Sequence, residues 1–215
     1  MPTHKKIKVL ITGFGPFPGM HLNPSEKLLR WIEKRHIPRS HDIQLKTIVI
    51  PTTWSAVEQF SSQTLAKLDP DIALHFGVHS RAAGLCIETL ARNCTCTQAD
   101  AMGRVSQRHC VKDHAPQTLK STIGTAKLIT ELRARGLPVH NSTNAGRYLC
   151  NALLFASLYQ SRKRASPRQT GFIHVPPLNV RGMNKNALLK AAVITISHCV
   201  SCHTRKTLMR EETSG

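Results

Sequence analysis

The stretch IKVLITGFGPFPGMHLNPSEKLLRWIEK, Ile7 to Lys34, decides the fold of this chain. Its apolar start, Ile7 to Gly13, is typical of a buried strand. A turn rich in glycine and proline follows. Asn23 as N-cap and Pro24 at the first helical position, with Glu26 three residues after the cap, then predict the start of a helix. A strand followed by such a helix is the unit of parallel α/β folds.

The same alternation continues along the chain. Further strands are predicted over 43–50, 71–77, 83–91, 137–142 and 170–176. Further helices are predicted over 54–68, 119–136, 144–159 and 184–200, and a long loop over 92–116. Strands separated by helices of this length favour parallel pairing with helices on both faces. We therefore predict an α/β fold, a single-domain three-layer α/β/α arrangement with an open, twisted, mostly parallel sheet.

The chain length allows one sizeable core. We expect one domain over 1–215, with a core from about 7 to 203 and a loose segment over the last dozen residues. The first apolar run ends at Thr12 and Gly13, too short for a signal peptide, and no uninterrupted apolar run approaches the roughly 20 residues of a membrane span. The seven cysteines, an odd number, do not resemble a disulfide framework. The sequence thus predicts a cytoplasmic protein that does not contact membranes.

The chain is strongly basic, with 30 Lys and Arg against 12 Asp and Glu, a formal net charge of +18. Dense basic groups occur at His4–Lys6, Arg162–Arg164 and Arg205–Lys206. Aromatic residues make up 5% of the chain, too few for the stacking platform of a single-strand binder. A solvated basic surface is the first interpretation, and non-specific polyanion or nucleic-acid binding is the second.

The turn TGFGPFPG after the first strand does not fit a dinucleotide-binding loop. Its glycines miss the G-x-G-x-x-G spacing, and its two prolines remove backbone donors that a pyrophosphate needs. Phe14 and Phe17 instead follow the first strand, where open α/β sheets place ligands, so a small, flat, mostly apolar group is one interpretation. Two core phenylalanines under a turn are the other.

Clusters of cysteine and histidine raise the question of a zinc site. They are Cys94 with Cys96, His109 with Cys110, and the segment His198–His203. The C-x-C spacing is too tight for an ordinary structural zinc site, and the single C-x-x-C has no second pair. We predict neither a metal nor a cofactor.

Cys150 lies near the start of the helix predicted over NAGRYLCNALLFASLY. Asn144 is the predicted N-cap, and Leu149, Leu153, Ala156 and Tyr159 recur at helical spacing and are the predicted buried face. The positive end of the helix dipole and the unpaired backbone N–H groups favour a thiolate and can also bind an oxyanion. Cys150 is therefore a candidate nucleophile as well as a candidate core residue.

A thiol nucleophile needs a base and a group that orients the base. His174 ends the strand predicted over TGFIHVP, and Glu88 lies on the strand predicted over AGLCIETLA. If both strands run parallel to the rest of the sheet, their carboxyl ends meet the helix start that carries Cys150. The three side chains are then expected to converge.

Five motifs together resemble the pyroglutamyl peptidase I family, also called pyrrolidone-carboxylate peptidases, which are cysteine peptidases. They are ITGFGPFPG, NPSE, LCIETLARN, NAGRYLCN and GFIHVPPL, in order along the chain. The resemblance implies an open α/β/α fold and a catalytic triad of Cys150, His174 and Glu88.

The resemblance further implies that Phe14 and Phe17 sandwich a pyrrolidone ring, with Tyr148 and Leu149 as further pocket wall. It implies hydrolysis of the N-terminal pyroglutamyl residue of peptides through a thioester, without a cofactor, in a protein that occurs as a monomer or a homo-oligomer. Gln98 stands where many bacterial members carry an arginine, and GVHSRAAG replaces a glycine-rich turn. A catalytically weak member that only binds pyroglutamyl ends, or a basic nucleic-acid-associated α/β protein, are the alternatives.

Overall fold

A computed structural model describes residues 6–35, 43–178 and 180–212, with side chains to 209. His4 and Lys5 of the first basic group and 213–215 of the predicted loose segment lie outside the described residues. The strands are β1 Ile7–Phe14, β2 Ile43–Ile50, β3 Ile72–Val78, β4 Leu85–Glu88, β5 Leu90–Arg92, β6 Thr118–Lys120, β7 Val139–Ser142 and β8 Gln169–Val175. The helices are α1 Pro24–Lys34, α2 Trp54–Gln59, α3 Leu65–Leu68, α4 Thr125–Ala134, α5 Leu149–Arg164 and α6 Lys185–Glu212, with a π-helical turn at Phe60–Thr64.

Six strands form one sheet in the order β2-β1-β3-β8-β4-β7, and β5 pairs with β6 in a separate hairpin. β2, β1, β3 and β8 run parallel, which confirms the predicted mostly parallel α/β sheet. β4 is antiparallel to β8, and β7 follows the direction of β4. The premise that Glu88 lies on a strand parallel to the rest of the sheet is therefore wrong.

Helices cover both faces of the sheet, as predicted for three layers. One apolar cluster joins α1, α4 and α6 to the first face, and a second joins α2 and α5 to the other face. Strands that are covered on both faces have near-continuous apolar sequences, which is why β1, β3 and β8 read as buried runs. The second cluster, around α5, contains the candidate nucleophile.

The helices predicted over 119–136 and 184–200 differ from the structure at their ends. The pattern over 119–136 predicts one helix, but Thr118–Lys120 forms strand β6 and the helix begins only at Thr125. The last helix, predicted to end at 200, continues to Glu212. By length and composition, Lys185–Met209 could cross a membrane, since an 18-residue window within it has a mean hydropathy of 1.2, but half of that window is buried inside the protein.

Candidate active site

The candidate nucleophile and base lie side by side across the sheet. Gly77 on β3 is the register partner of His174 on β8, and His174 is the partner of Cys86 on β4. A Cβ atom added to Gly77 would lie 3.1 Å from Sγ of Cys150 and 2.7 Å from Cζ of Phe172. The absence of a side chain at Gly77 therefore lets the thiol rest directly on the sheet, next to His174.

His174 connects the thiol to Glu88. Its Nδ1 lies 2.8 Å from Oε1 of Glu88, and both side chains are buried. Cys150 lies next to His174, because its Sγ rests against Gly77, the register partner of His174, and it helps to raise the pKa of the imidazole. Glu88 is the register partner of Phe172, which precedes His174 by two residues on β8. The carboxylate therefore reaches the imidazole along the direction of the strand. The structure thus brings the three predicted catalytic residues together.

The charge on His174 is set by two opposing effects. Burial alone would lower its pKa, because the charged form loses hydration. The interactions with the adjacent Cys150, and the hydrogen bond and charge of Glu88, outweigh burial and raise the pKa of His174 to about 9. An imidazolium next to a thiolate is the arrangement that activates a cysteine nucleophile at neutral pH.

The start of α5 differs from the prediction in one detail. The helix begins at Leu149 with Tyr148 as N-cap, and no side chain caps it. The predicted cap, Asn144, instead accepts a hydrogen bond from the backbone N–H of Gly146 within the preceding turn. Cys150 is therefore the second residue of the helix, where backbone N–H groups have no intrahelical partner. These donors are available to an oxyanion beside the thiol.

The buried face of α5 is wider than predicted. Leu149, Leu153 and Ala156 are buried and Tyr159 is half-buried, as the helical spacing indicates, but every residue from Asn151 to Leu158 is buried too. The loop that follows β5 covers the outer side of the helix. Asn151, fully buried, fixes this loop by bonding the backbone N–H and carbonyl of Arg92 and the carbonyl of Cys94.

The two candidate ring-binding residues lie in different surroundings. Phe14 is 3% exposed and belongs to the apolar cluster around α5. Phe17 is half-buried in a tight turn closed by backbone hydrogen bonds to Met20. Thr12 on β1 is the register partner of His75 on β3. Two residues further along each strand, Phe14 is therefore level with Gly77, and hence with the thiol.

The NPSE motif holds the phenylalanine turn in place. Asn23 donates from Nδ2 to the carbonyl of Gly15 at 2.9 Å and accepts from the backbone N–H and hydroxyl of Ser25. The Ser25 hydroxyl oxygen in turn accepts from the backbone N–H of Phe14. Thr52 also donates to the Gly15 carbonyl. The helix cap predicted from the sequence therefore has a second role, which is to fix the loop beside the candidate nucleophile.

The other two predicted pocket residues flank the start of α5. Tyr148 is half-buried, donates its hydroxyl to the carbonyl of Ala99 and meets the ring of Trp54 edge-on at 5.4 Å between centroids. Burial, followed by the nearby Asp100, raises the pKa of Tyr148 to about 12, so it remains a neutral donor. Leu149 is 1% exposed and packs in the core.

A separate cavity of about 610 Å³ lies beside α5, away from the triad. It is lined by Trp54 and Glu58 of α2, by Ala152 and Ala156 of α5 and by the loop from Asp100. None of its lining residues belongs to the triad. In the part of the chain that the structure describes, no group of three or more His, Cys, Asp or Glu side chains is arranged to hold a metal ion.

Comparison with known proteins agrees with this geometry. A family model described as pyroglutamyl peptidase matches residues 7–202. The chain belongs to the pyroglutamyl peptidase family. Pyrrolidone-carboxylate peptidase of Pyrococcus furiosus is 33% identical over 79% of this chain and 81% of its own length. The Thermosipho africanus protein of the same name is 28% identical over 94% and 97%.

Solved structures lead to the same family. The crystal structure of pyrrolidone carboxyl peptidase from P. furiosus superposes with a TM-score of 0.84 at 28% identity, covering 92% of this chain and all of that one. Pyroglutamyl peptidases are cysteine hydrolases, so this confirms the α/β fold and the enzyme class predicted from the motifs. Sequence reasoning missed Gly77 and Asn151, which position Cys150 and the loop over α5.

Proposed function

We propose that this protein removes the N-terminal pyroglutamyl residue from peptides, with Cys150 as nucleophile, His174 as acid and base, and Glu88 as the group that orients His174. The observation that supports these roles is that Cys150 lies next to His174, whose Nδ1 is 2.8 Å from Oε1 of Glu88. Such a constellation is recognised by geometry rather than by sequence order.

The reaction proceeds through a thioester. The Cys150 thiolate attacks the pyroglutamyl carbonyl, and the backbone N–H groups at the start of α5 stabilise the oxyanion. Because Nδ1 of His174 is held by Glu88, the remaining nitrogen, Nε2, faces the thiol and protonates the leaving amine. His174 then takes a proton from water, which hydrolyses the thioester and regenerates Cys150.

The pyrrolidone ring binds between Phe14 and Phe17, with Tyr148 and Leu149 at its side. Phe14 is level with Gly77 in the sheet, which supports a ring position next to the thiol. A lactam has no ammonium group, whereas a free N-terminal glutamate or glutamine would have to lose hydration against two phenyl rings. We therefore expect the pocket to select the cyclised residue.

The remaining features of the proposal follow from the rest of the chain. All seven cysteines are free thiols, as a reducing cytoplasm requires. One sheet covered on both faces supports a single domain, with or without assembly into a homo-oligomer. Polyanions are expected to bind the basic surface non-specifically, and no membrane contact is part of the proposal.

The test is release of aminocoumarin from pyroglutamyl-aminocoumarin amide by the reduced protein. Wild type should turn over and Cys150→Ala should not, while Cys110→Ser, which changes a thiol on the loop 92–116, should keep wild-type activity. Mass spectrometry after limited alkylation should find the adduct first on Cys150. Full turnover by Cys150→Ala would contradict the assigned nucleophile, and a folded but inactive wild type would contradict the activity.

A further inference from the structure

The strand order gives the direction in which a peptide crosses the site. Phe14 on β1, the thiol of Cys150 over Gly77 on β3, and His174 on β8 follow one another across the sheet. In the proposed function, on which this inference rests, the ring lies at Phe14 and the leaving amine at His174. The residue after pyroglutamate must then lie beyond His174, over β4 and β7.

The register continues to the edge of the sheet. Cys86 on β4 is paired with His174, and His140 on β7 is paired with Cys86. Alternation along each strand turns these side chains toward α5, since their neighbours Leu85 and Val139 pack in the opposite cluster. Cys86 is half-buried and His140 is exposed. Neighbouring strands are about 4.8 Å apart, so one or two extended residues of substrate reach this far.

The loop after β3 adds a donor and a positive charge to the same place. The ring of His79 stands edge-on to that of His174, with 5.7 Å between centroids. Nδ1 of His79 accepts a hydrogen bond from the backbone N–H of Arg81, so the ring proton is on Nε2. Both side chains are exposed, and among the described residues Arg81 has no ion-pair partner.

Burial, followed by the charge of Glu88, raises the pKa of Cys86, but the Glu88 carboxylate is already engaged by His174. It is 1% exposed and bonded to His174, so it does not neutralise the loop. The surface beyond His174 therefore offers the imidazoles of His79 and His140, the thiol of Cys86 and the guanidinium group of Arg81. Such a surface attracts a carboxylate and repels an ammonium group.

We propose that His79, Arg81, Cys86 and His140 form a leaving-side subsite that binds the residue following pyroglutamate and favours aspartate or glutamate there. His79 donates from Nε2 to the acidic side chain, and Arg81 supplies the opposite charge. The segment GVHSRAAG, which leads from the end of β3 to the start of β4, is thus the source of the preference.

The preference is measured as a ratio within one enzyme. Two peptides that differ only in glutamate or lysine after pyroglutamate are compared by kcat/KM, at low and at moderate salt. Wild type should favour the glutamate peptide by about five- to thirtyfold, the range of one good polar interaction. A ratio near one would overturn the subsite. Pyroglutamyl-aminocoumarin amide, which has no following residue, is measured alongside, and its failure to react would overturn the proposed function instead.

Charge reversal identifies the residues. Arg81→Glu should lower the ratio below one, and His79→Gln should reduce it severalfold, whatever either variant does to absolute rates. Arg164→Glu is the matched control, because it makes the same change of net charge at the exposed far end of α5. It should keep the wild-type ratio. Equal ratios in the Arg81 and Arg164 variants would show that only overall charge matters and would overturn the assignment.

Discussion

Nδ1 of His174 lies 2.8 Å from Oε1 of Glu88, although the strands that carry the two residues run in opposite directions. Glu88 faces Phe172 in the register rather than His174, so its side chain extends along the sheet to meet the ring. This contact fixes the tautomer in which Nε2 faces Cys150. The carboxylate acts through the imidazole and is a positioning residue.

Glu88→Gln is expected to lower kcat for pyroglutamyl-aminocoumarin amide on the order of 10²- to 10⁴-fold, because an amide keeps the shape but does not stabilise the imidazolium. KM should change little, and the alkaline limb of the pH–rate profile should move to lower pH, since the charge of Glu88 helps to raise the pKa of His174.

Glu131→Gln is the matched control for this substitution. Oε2 of Glu131 lies 3.1 Å from Nδ1 of His198, a similar carboxylate–imidazole pair on the other face of the sheet. It should leave the pH–rate profile unchanged. If both variants lost activity equally, the effect of Glu88 would be structural rather than catalytic.

Stability should depend on pH through His174. The pKa of His174 is raised to about 9 because Cys150 and Glu88 together outweigh burial, whereas an unfolded histidine titrates near 6.5. The folded state therefore holds an extra proton between these values. The stabilisation is fully present below about pH 6.5 and is lost as the pH rises through 9.

The measurement is the free energy of unfolding by urea between pH 6 and 10, for wild type and His174→Gln. The difference between the two curves should shrink as the pH rises, because titrating groups that do not interact with His174 cancel in the comparison. Parallel curves would show that His174 is not a cation in the folded protein.

Several elements could be predicted because local rules decide them. Asn23 and Pro24 mark the start of α1, and the apolar runs of β1, β3 and β8 follow from burial on both faces. The triad residues could be predicted because Glu88 and His174 stand at or next to the end of a strand and Cys150 stands near the start of a helix, each within a specific motif. These signals are contained in a few neighbouring residues.

Other elements depend on partners far away in the sequence. β4 is four residues long, and nothing in LCIE indicates whether it pairs parallel or antiparallel with β8. Thr118–Lys120 is a strand only because β5 pairs with it. Gly77 is ordinary in sequence, and its role appears only when Cys150 is packed against it. The prediction of Asn144 as N-cap was wrong, because its side chain accepts a hydrogen bond from the backbone N–H of Gly146 instead.

The two phenylalanines should respond differently to truncation. Phe17→Ala removes a half-buried ring and should raise KM for the coumarin amide tenfold or more, with a loss of about 1 kcal/mol in unfolding free energy. Phe14→Ala opens a cavity in the core and should cost about 3–5 kcal/mol. Phe14→Leu, which keeps an apolar side chain in the core, is the less destabilising variant in which to measure the effect of the lost ring on KM. An unchanged KM in Phe17→Ala, with the fold intact, would place the ring elsewhere.

Gly77→Ala tests whether the thiol rests on the sheet as described. The new Cβ would meet Cζ of Phe172 at 2.7 Å and Sγ of Cys150 at 3.1 Å, so one of them must shift. The variant should lose about 1–3 kcal/mol of unfolding free energy, and kcat should fall about 100-fold, because small displacements of reacting groups are costly. Gly171→Ala is the matched control, since its Cβ would clash with the side chain of Ile123, away from the thiol. Both variants should be destabilised, but only Gly77→Ala should lose activity per folded molecule, with active sites counted by alkylation of Cys150. Equal specific activities would show that Gly77 contributes to packing alone.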